Sequence, residues 1–288
     1  MSARFGPAGR PDSFAAMGYK KTPEIPAYLS RFGLNAFEYQ CGRGVRYVES
    51  DLLRLKEAAV AADIALSVHA PYYISLSSTE EEKRLNSVGY ITDTAKAARI
   101  MGGDRIVVHS GSCGKISREE ALELAKGTLR LALDELERLG LADITVCPET
   151  MGKVNQLGTL LEVLELCSID ERLLPCIDFG HLNARTFGGI RGREDYKAIL
   201  DEMEDRLGKE RASRFHAHFS KIEYTLKGGE KAHLTFEDTV YGPEFQPLLE
   251  EVVKRDWSPR FICESAGTQA EDARAMAEYA RTLRTERE

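Results

Sequence analysis

Six acidic and imidazole side chains stand where apolar runs of the sequence stop: His69, His109, Glu149, Asp178, His216 and Glu264. Asp178 is the plainest case. It follows Leu173, Leu174, Cys176 and Ile177, a run that reads as a buried strand, and His181 comes three residues later. An unpartnered carboxylate is too costly to desolvate, so a buried ion pair or a metal has to hold it there. An apolar run that ends in His or Glu followed by Gly, Ser, Pro or Ala recurs at four other places, which points to a shared centre. Alternate residues of a strand face one side, so Ser67 and His69, Val107 and His109, Cys147 and Glu149, Cys176 and Asp178, and His216 and His218 each share a face. The intervening Val68, Val108 and Ile177 suit packing against outer helices.

Imidazoles and carboxylates that converge without matching Lys or Arg suit a divalent metal, and the donors fit zinc, manganese or iron. Glu149 or Glu264 is placed to bridge two ions, and His181 and His233, on loops at the same rim, to reach a further one. A single strand-end histidine such as His69 is more often a hydrogen-bonded core residue. The set decides otherwise, because His69, His109, His181, His216 and His218, five of the six histidines, fall on or just after strand ends. For His218 three roles stay open: ligand, hydrogen-bond donor behind a ligand, or substrate contact.

Elements that alternate strand with helix must position these groups. Strands are expected near residues 3–6, 35–41, 64–72, 105–110, 144–150, 173–178, 214–220 and 260–266. Between them the periodicity predicts helices, with Thr22-Pro23 opening one and capping boxes at Ser78-x-x-Glu81 and Ser117-x-x-Glu120 opening two more. Further helices are expected at residues 50–62, 156–167, 194–207 and 243–254, and His233 is expected in a polar loop after Gly228-Gly229. Eight such units mean a parallel sheet with helical crossovers, and a closed (β/α)8 TIM barrel, a single α/β domain over residues 1–288, fits better than an open sheet. The strand ends then lie at the C-terminal rim, where this fold places its active sites. A Gly-x-Gly-x-x-Gly after the first strand is missing, which weakens a dinucleotide-binding reading.

The chain has 288 residues, 43% of them hydrophobic, enough for one large core. Its formal charge of −7 argues against nucleic-acid binding by bulk electrostatics and leaves local basic groups in a groove open. The six cysteines contain no Cys-x-x-Cys pair and read as small buried hydrophobes. Without an apolar signal segment or a run of 18 apolar residues, a soluble cytoplasmic protein is expected, with no membrane partner and as a monomer.

The motifs Ser67-Val68-His69-Ala70-Pro71-Tyr72, Val108-His109-Ser110-Gly111-Ser112, Pro148-Glu149-Thr150, Cys176-Ile177-Asp178-Phe179-Gly180-His181, His216-Ala217-His218-Phe219-Ser220-Lys221 and Cys263-Glu264-Ser265 resemble those of endonuclease IV, the second AP endonuclease family, within the xylose-isomerase-like TIM barrels. The resemblance covers nearly the whole chain in order. It implies a DNA-repair hydrolase that cuts the phosphodiester 5′ to an abasic site with three zinc ions. By position, His69, His109 and Glu149 would hold the first; Glu149, Asp178, His216 and Glu264 the second; His181 and His233 the third. One departure concerns the third ion, for which the family supplies an Asp two residues before the last His. Lys231 stands there instead, with Glu230 adjacent. The expectation is a half-built third site, or a Lys231 that binds substrate phosphate, hence two or three ions. The family's DNA-contacting segment after strand two is also replaced, here by residues 40–46.

On this reading Glu149 bridges, and Glu264 or Asp178 orients the metal-activated water. Tyr72, Arg43, Arg46, His218, Lys221 and Lys231 are candidate contacts to damaged DNA. Two rivals stand beside it: a sugar isomerase or epimerase, with Glu149 and Glu264 as the acid/base pair on a small sugar, and a non-catalytic metal- or nucleic-acid-binding relative.

Overall fold

A computed structural model describes residues 3–286. Eight parallel strands form one sheet: β1 (Arg4–Pro7), β2 (Ala36–Gln40), β3 (Ala65–His69), β4 (Arg105–His109), β5 (Thr145–Glu149), β6 (Cys176–Asp178), β7 (His216–Phe219) and β10 (Arg260–Cys263). Their order is β1-β10-β7-β6-β5-β4-β3-β2, which brings the two ends of the sheet together. There the Gly9 amide donates to the Glu38 carbonyl at 2.9 Å and the Asn35 amide to the Phe5 carbonyl at 3.0 Å. The expected TIM barrel is what forms.

Helices cover the outside: α2 (Ile25–Phe32), α3 (Glu49–Ala61), α4 (Glu81–Met101), α5 (Arg118–Arg138), α6 (Leu160–Cys167), α8 (Arg193–Leu207), α10 (Gln246–Lys254) and α11 (Gln269–Thr285), with short helices α1 (Asp12–Ala16), α7 (Phe179–Arg185) and α9 (Lys209–Ala212) between them. Strand alternation sorts the apolar residues into a large cluster and two small ones. Val68, Val108, Val146, Ile177 and Ala217 belong to the large outer core against the helices. Val107, Cys147, Leu174 and Cys176 form a separate cluster inside the barrel. All six cysteines are buried and free.

Beneath that cluster, at the N-terminal ends of the strands, the Arg260 guanidinium donates to both oxygens of Asp104 at 2.7 and 3.0 Å and to the Leu66 carbonyl. Asp104 is more than half exposed, so the buried Arg260 is the partner whose charge would be left uncompensated if the pair were broken.

Among the local expectations, one capping box forms as expected and others differ. Ser117 and Glu120 close their capping box at 3.1 and 3.0 Å. Ser78 does not cap α4; its hydroxyl accepts from the Glu80 amide two residues on, a local turn that competes with the cap. Thr22-Pro23 opens a 3-10 turn (Thr22–Glu24) and not the helix itself. The polar loop after β7 is an antiparallel hairpin, β8 (Lys221–Thr225) and β9 (Gly229–Leu234). Among the described residues no helix is long and apolar enough to cross a membrane.

Candidate metal centre

Glu149, at the end of β5, is fully buried at the centre of the rim. Its two oxygens keep different company. Oε2 meets His69 Nε2 at 3.3 Å and His109 Nε2 at 3.2 Å. Oε1 meets His218 Nδ1 at 2.9 Å and lies 3.5 Å from His181 Nδ1. Burial pushes this carboxyl up, yet His218, with the edges of His109 and His181, outweighs it and holds the group well below the usual carboxylate range. Ligand atoms of Glu149, Asp178, His218 and Glu264 lie within 4.8 Å of one another, as do those of His69, Glu149 and His218.

The imidazoles are aimed by their other nitrogens. His69 Nδ1 bonds the Ala70 carbonyl at 2.8 Å, His109 Nδ1 the Tyr72 carbonyl at 3.3 Å and His181 Nδ1 the Thr150 carbonyl at 2.9 Å. His233 Nδ1 bonds the Ser220 hydroxyl at 2.9 Å. Each contact to a carbonyl requires the proton on Nδ1 and leaves the Nε2 lone pair free to coordinate. Asp178 works as a helix cap too: its Oδ1 accepts from the His181 amide at 2.7 Å, so His181 sits on α7 and not in a loop.

His216 is the residue the resemblance placed with Glu149, Asp178 and Glu264, and the structure puts His218 there. Register is the reason. Asp178 pairs with His218 and Cys176 with His216, so His216 lies one layer deeper. Burial drives the His216 imidazole down to about 4 against the pull of Glu38. Glu38, from β2, escaped the sequence analysis. It is fully buried, its Oε2 accepts from the Ser67 hydroxyl at 3.0 Å, and its oxygens stand 2.9 Å from Nε2 of both His216 and His218. Burial raises the Glu38 carboxyl, but the two imidazoles bring it well below its ordinary value. Its signal was available: a carboxylate in mid-strand between Phe37 and Tyr39 invites the same desolvation argument as Asp178.

A third group unites His181, Glu230 and His233. Strand alternation alone would put residues 230 and 233 on opposite faces. A β-bulge resets the parity: Ile222 pairs with His233 and Tyr224 with Glu230, leaving Lys231 as the extra residue. Lys231 therefore points away, exposed, with its ammonium 2.6 Å from Glu223. The expected Lys231 intrusion into the third site does not occur. Two glycines let the hairpin approach. A Cβ on Gly152 would stand 2.6 Å from the Glu230 Cβ, and one on Gly229 only 2.3 Å from the Gly152 carbonyl oxygen. Across this contact the Glu230 amide donates to the Gly152 carbonyl at 3.1 Å.

A cleft of about 330 Å³ opens over these groups, lined by Tyr72, His69, His109, Glu149, His181, Glu230, His233 and Glu264, and also by Lys153 and Gln156 from the loop after β5. Lys153 is an exposed cation that the sequence analysis passed over. Lys221 is not available to a substrate, since its buried ammonium holds the Asp238 carbonyl and the Glu244 carboxylate, both at 2.6 Å. Arg43 and Arg46 are exposed on the loop whose Gly42 lines the cleft, and neither guanidinium lines it.

Divalent cations fit these residues. Asp178 Oδ2 is buried without a hydrogen-bond partner. Burial raises the Asp178 carboxyl, partly offset by His181 and reinforced by Glu264 and Glu149. Among the described residues, the ion-pair partners of Glu149, Asp178 and Glu264 are all histidines. Three neighbouring carboxylates without a fixed cation are what an ion would neutralise.

The chain is 38% identical over 261 residues, 91% of each chain, to an uncharacterised protein of Methanocaldococcus jannaschii. It is 27% identical over 245 residues to a probable endonuclease 4 of Aster yellows witches'-broom phytoplasma, covering 81% of this chain and 79% of that one. In fold it is similar to a D-tagatose 3-epimerase-like protein (TM-score 0.73, 17% identity, 99% and 100% of the chains) and to endonuclease IV from Thermus thermophilus (TM-score 0.68, 21% identity, 98% and 99%). At these identities the two solved structures speak for the barrel alone. The family model of the xylose isomerase-like TIM barrels, AP_endonuc_2, matches residues 26–285, and the chain belongs to that family.

Proposed function

We propose that the protein is a metal-dependent phosphodiesterase of the endonuclease IV type, acting at abasic sites in DNA. The observation that carries this reading is the third group, His181, Glu230 and His233, beside the two groups that share Glu149. A sugar isomerase or epimerase works with one or two ions, and the groups built on Glu149, with His69, Asp178, His218 and Glu264, would hold them. The separate group of His181, Glu230 and His233 goes beyond that need and suits a phosphodiester, whose attacking, leaving and non-bridging oxygens all gain charge.

Zinc or a similar ion, when bound, supplies a hydroxide near neutral pH and charge stabilisation for the phosphoryl oxygens. His69 and His109 would hold the ion on the Oε2 side of Glu149; His218, Asp178 and Glu264 the one on the Oε1 side. Glu264 is the partly exposed carboxylate of the set and lines the cleft, so it is the group that orients the water and takes its proton. Lys153 reaches phosphate as a point charge. Tyr72, half exposed at the mouth, offers a ring for a base or sugar face. An abasic nucleotide leaves the stack at low cost, which suits a recessed centre.

The test is elemental analysis of zinc-loaded protein together with a cleavage assay on duplex DNA bearing one abasic site. Three equivalents of zinc are expected, falling to two in Glu230→Gln and unchanged in Lys231→Ala, with a cut 5′ to the lesion. Intact DNA alongside epimerisation of a ketose, followed by ¹³C NMR, would sink the proposal in favour of the sugar reading.

A further inference from the structure

We infer that Glu38 is a positioning residue whose carboxylate holds the Nε2 edge of His218, so that Nδ1 is the nitrogen presented to the ion shared by Glu149, Asp178 and Glu264. The inference rests on the metal-centre reading above. Among the rim imidazoles His218 is turned round. His69, His109, His181 and His233 anchor Nδ1 on a neutral carbonyl or hydroxyl, whereas His218 directs Nδ1 at Glu149 Oε1 and Nε2 at Glu38 Oε1. Its anchor crosses the barrel interior from β2 to β7, and it carries a charge.

Glu38 is itself held. Ser67 donates to its Oε2 at 3.0 Å, Gln40 donates to its Oε1 at 3.2 Å, and His216 Nε2 stands 2.9 Å from Oε2. Neither imidazole lies on the hydrogen-bonding line to the carboxylate, since both Nε2 atoms are too far off axis for a bond. The hold is therefore electrostatic first and directional second. A negative charge 2.9 Å from Nε2 favours the proton on that nitrogen and leaves the lone pair on Nδ1, as the carboxylates behind metal-bound imidazoles do. The arrangement gives this one ligand a stronger donor than its carbonyl-anchored neighbours have.

Two readouts test this, neither being turnover. In ¹⁵N-labelled, zinc-loaded wild-type protein, a two-bond ¹H–¹⁵N spectrum should show His218 bound through Nδ1 with a proton on Nε2. Binding through Nε2 would overturn the inference, and this readout needs no variant, so it decides alone should Glu38→Gln not fold. In Glu38→Gln, chelator competition should show one zinc bound about 10- to 100-fold more weakly, the others unchanged, with part of the loss restored in Glu38→Asp. Equal retention of every zinc in Glu38→Gln overturns it as well. A wild-type protein that binds no zinc defeats the metal-centre reading, and the inference falls with it; zinc held equally by wild type and variant defeats the role of Glu38 alone.

Discussion

Glu162 shows how a single residue far from the metal groups shapes the cleft. It caps α6, its Oε2 accepting from the Gly158 and Thr159 amides, both at 2.8 Å, while both its oxygens take the Arg118 guanidinium at 2.6 and 2.7 Å. Arg118 in turn donates to the carbonyls of Val154 and Gln156. The loop bearing Lys153 and Gln156 is thus pinned from behind. Burial would raise the Glu162 carboxyl, but Arg118 and the two amides bring it down from 4.5 to about 2. A depressed carboxylate contributes stability above its unfolded value, and that stability fades as pH falls toward the folded one. In metal-free protein, Glu162→Gln should cost about 1–3 kcal/mol at pH 7. The gap from wild type, measured by urea unfolding, should close between pH 4.5 and about 2. A gap that stays constant from pH 7 to pH 3 would show that the charge is not what holds the loop.

At the scale of the element, the hairpin of β8 and β9 decides whether the third group exists. Its bulge turns Glu230 inward, and Gly152 leaves the room that Glu230 occupies. Gly152→Ala should therefore push Glu230 and His181 apart, because the added methyl would also stand 2.9 Å from the His181 ring. The expected outcome is loss of one zinc equivalent with a melting temperature little changed; a full complement of zinc in this variant would mean that the hairpin can shift to make room. The sequence could not show this arrangement. Strand existence was legible, because apolar alternation ending in His or Glu reads the same in any register. Whether His216 or His218 reaches the rim depends on the pairing of β6 with β7, and whether Glu230 or Lys231 faces inward depends on one unpaired residue. Neither is written in the spacing of a single strand. Glu38 was legible by the rule that singled out Asp178, yet it ends no apolar run.

For the whole molecule, the proposed function raises the question of how a chain of net charge −7 would meet a polyanion. Bulk attraction is absent, so affinity for DNA would draw on the metal groups and on cations such as Lys153 at the cleft and Arg43 and Arg46 on the adjoining loop. Each lysine or arginine that neutralises a phosphate releases counterions, so three of them set a shallow salt dependence, a slope of log K against log salt of about −2 to −3. Binding to a duplex with one uncleavable abasic analogue, followed by fluorescence anisotropy between low and moderate salt, should give that slope. Lys153→Ala, Arg43→Ala and Arg46→Ala should each reduce it by about 1 while leaving the zinc content untouched. A neutral sugar carries no counterions to release. A DNA slope near zero, or one that none of the three variants alters, would mean these cations do not meet phosphate, and the weight would move to a small substrate bound by Glu149, Asp178, His218 and Glu264.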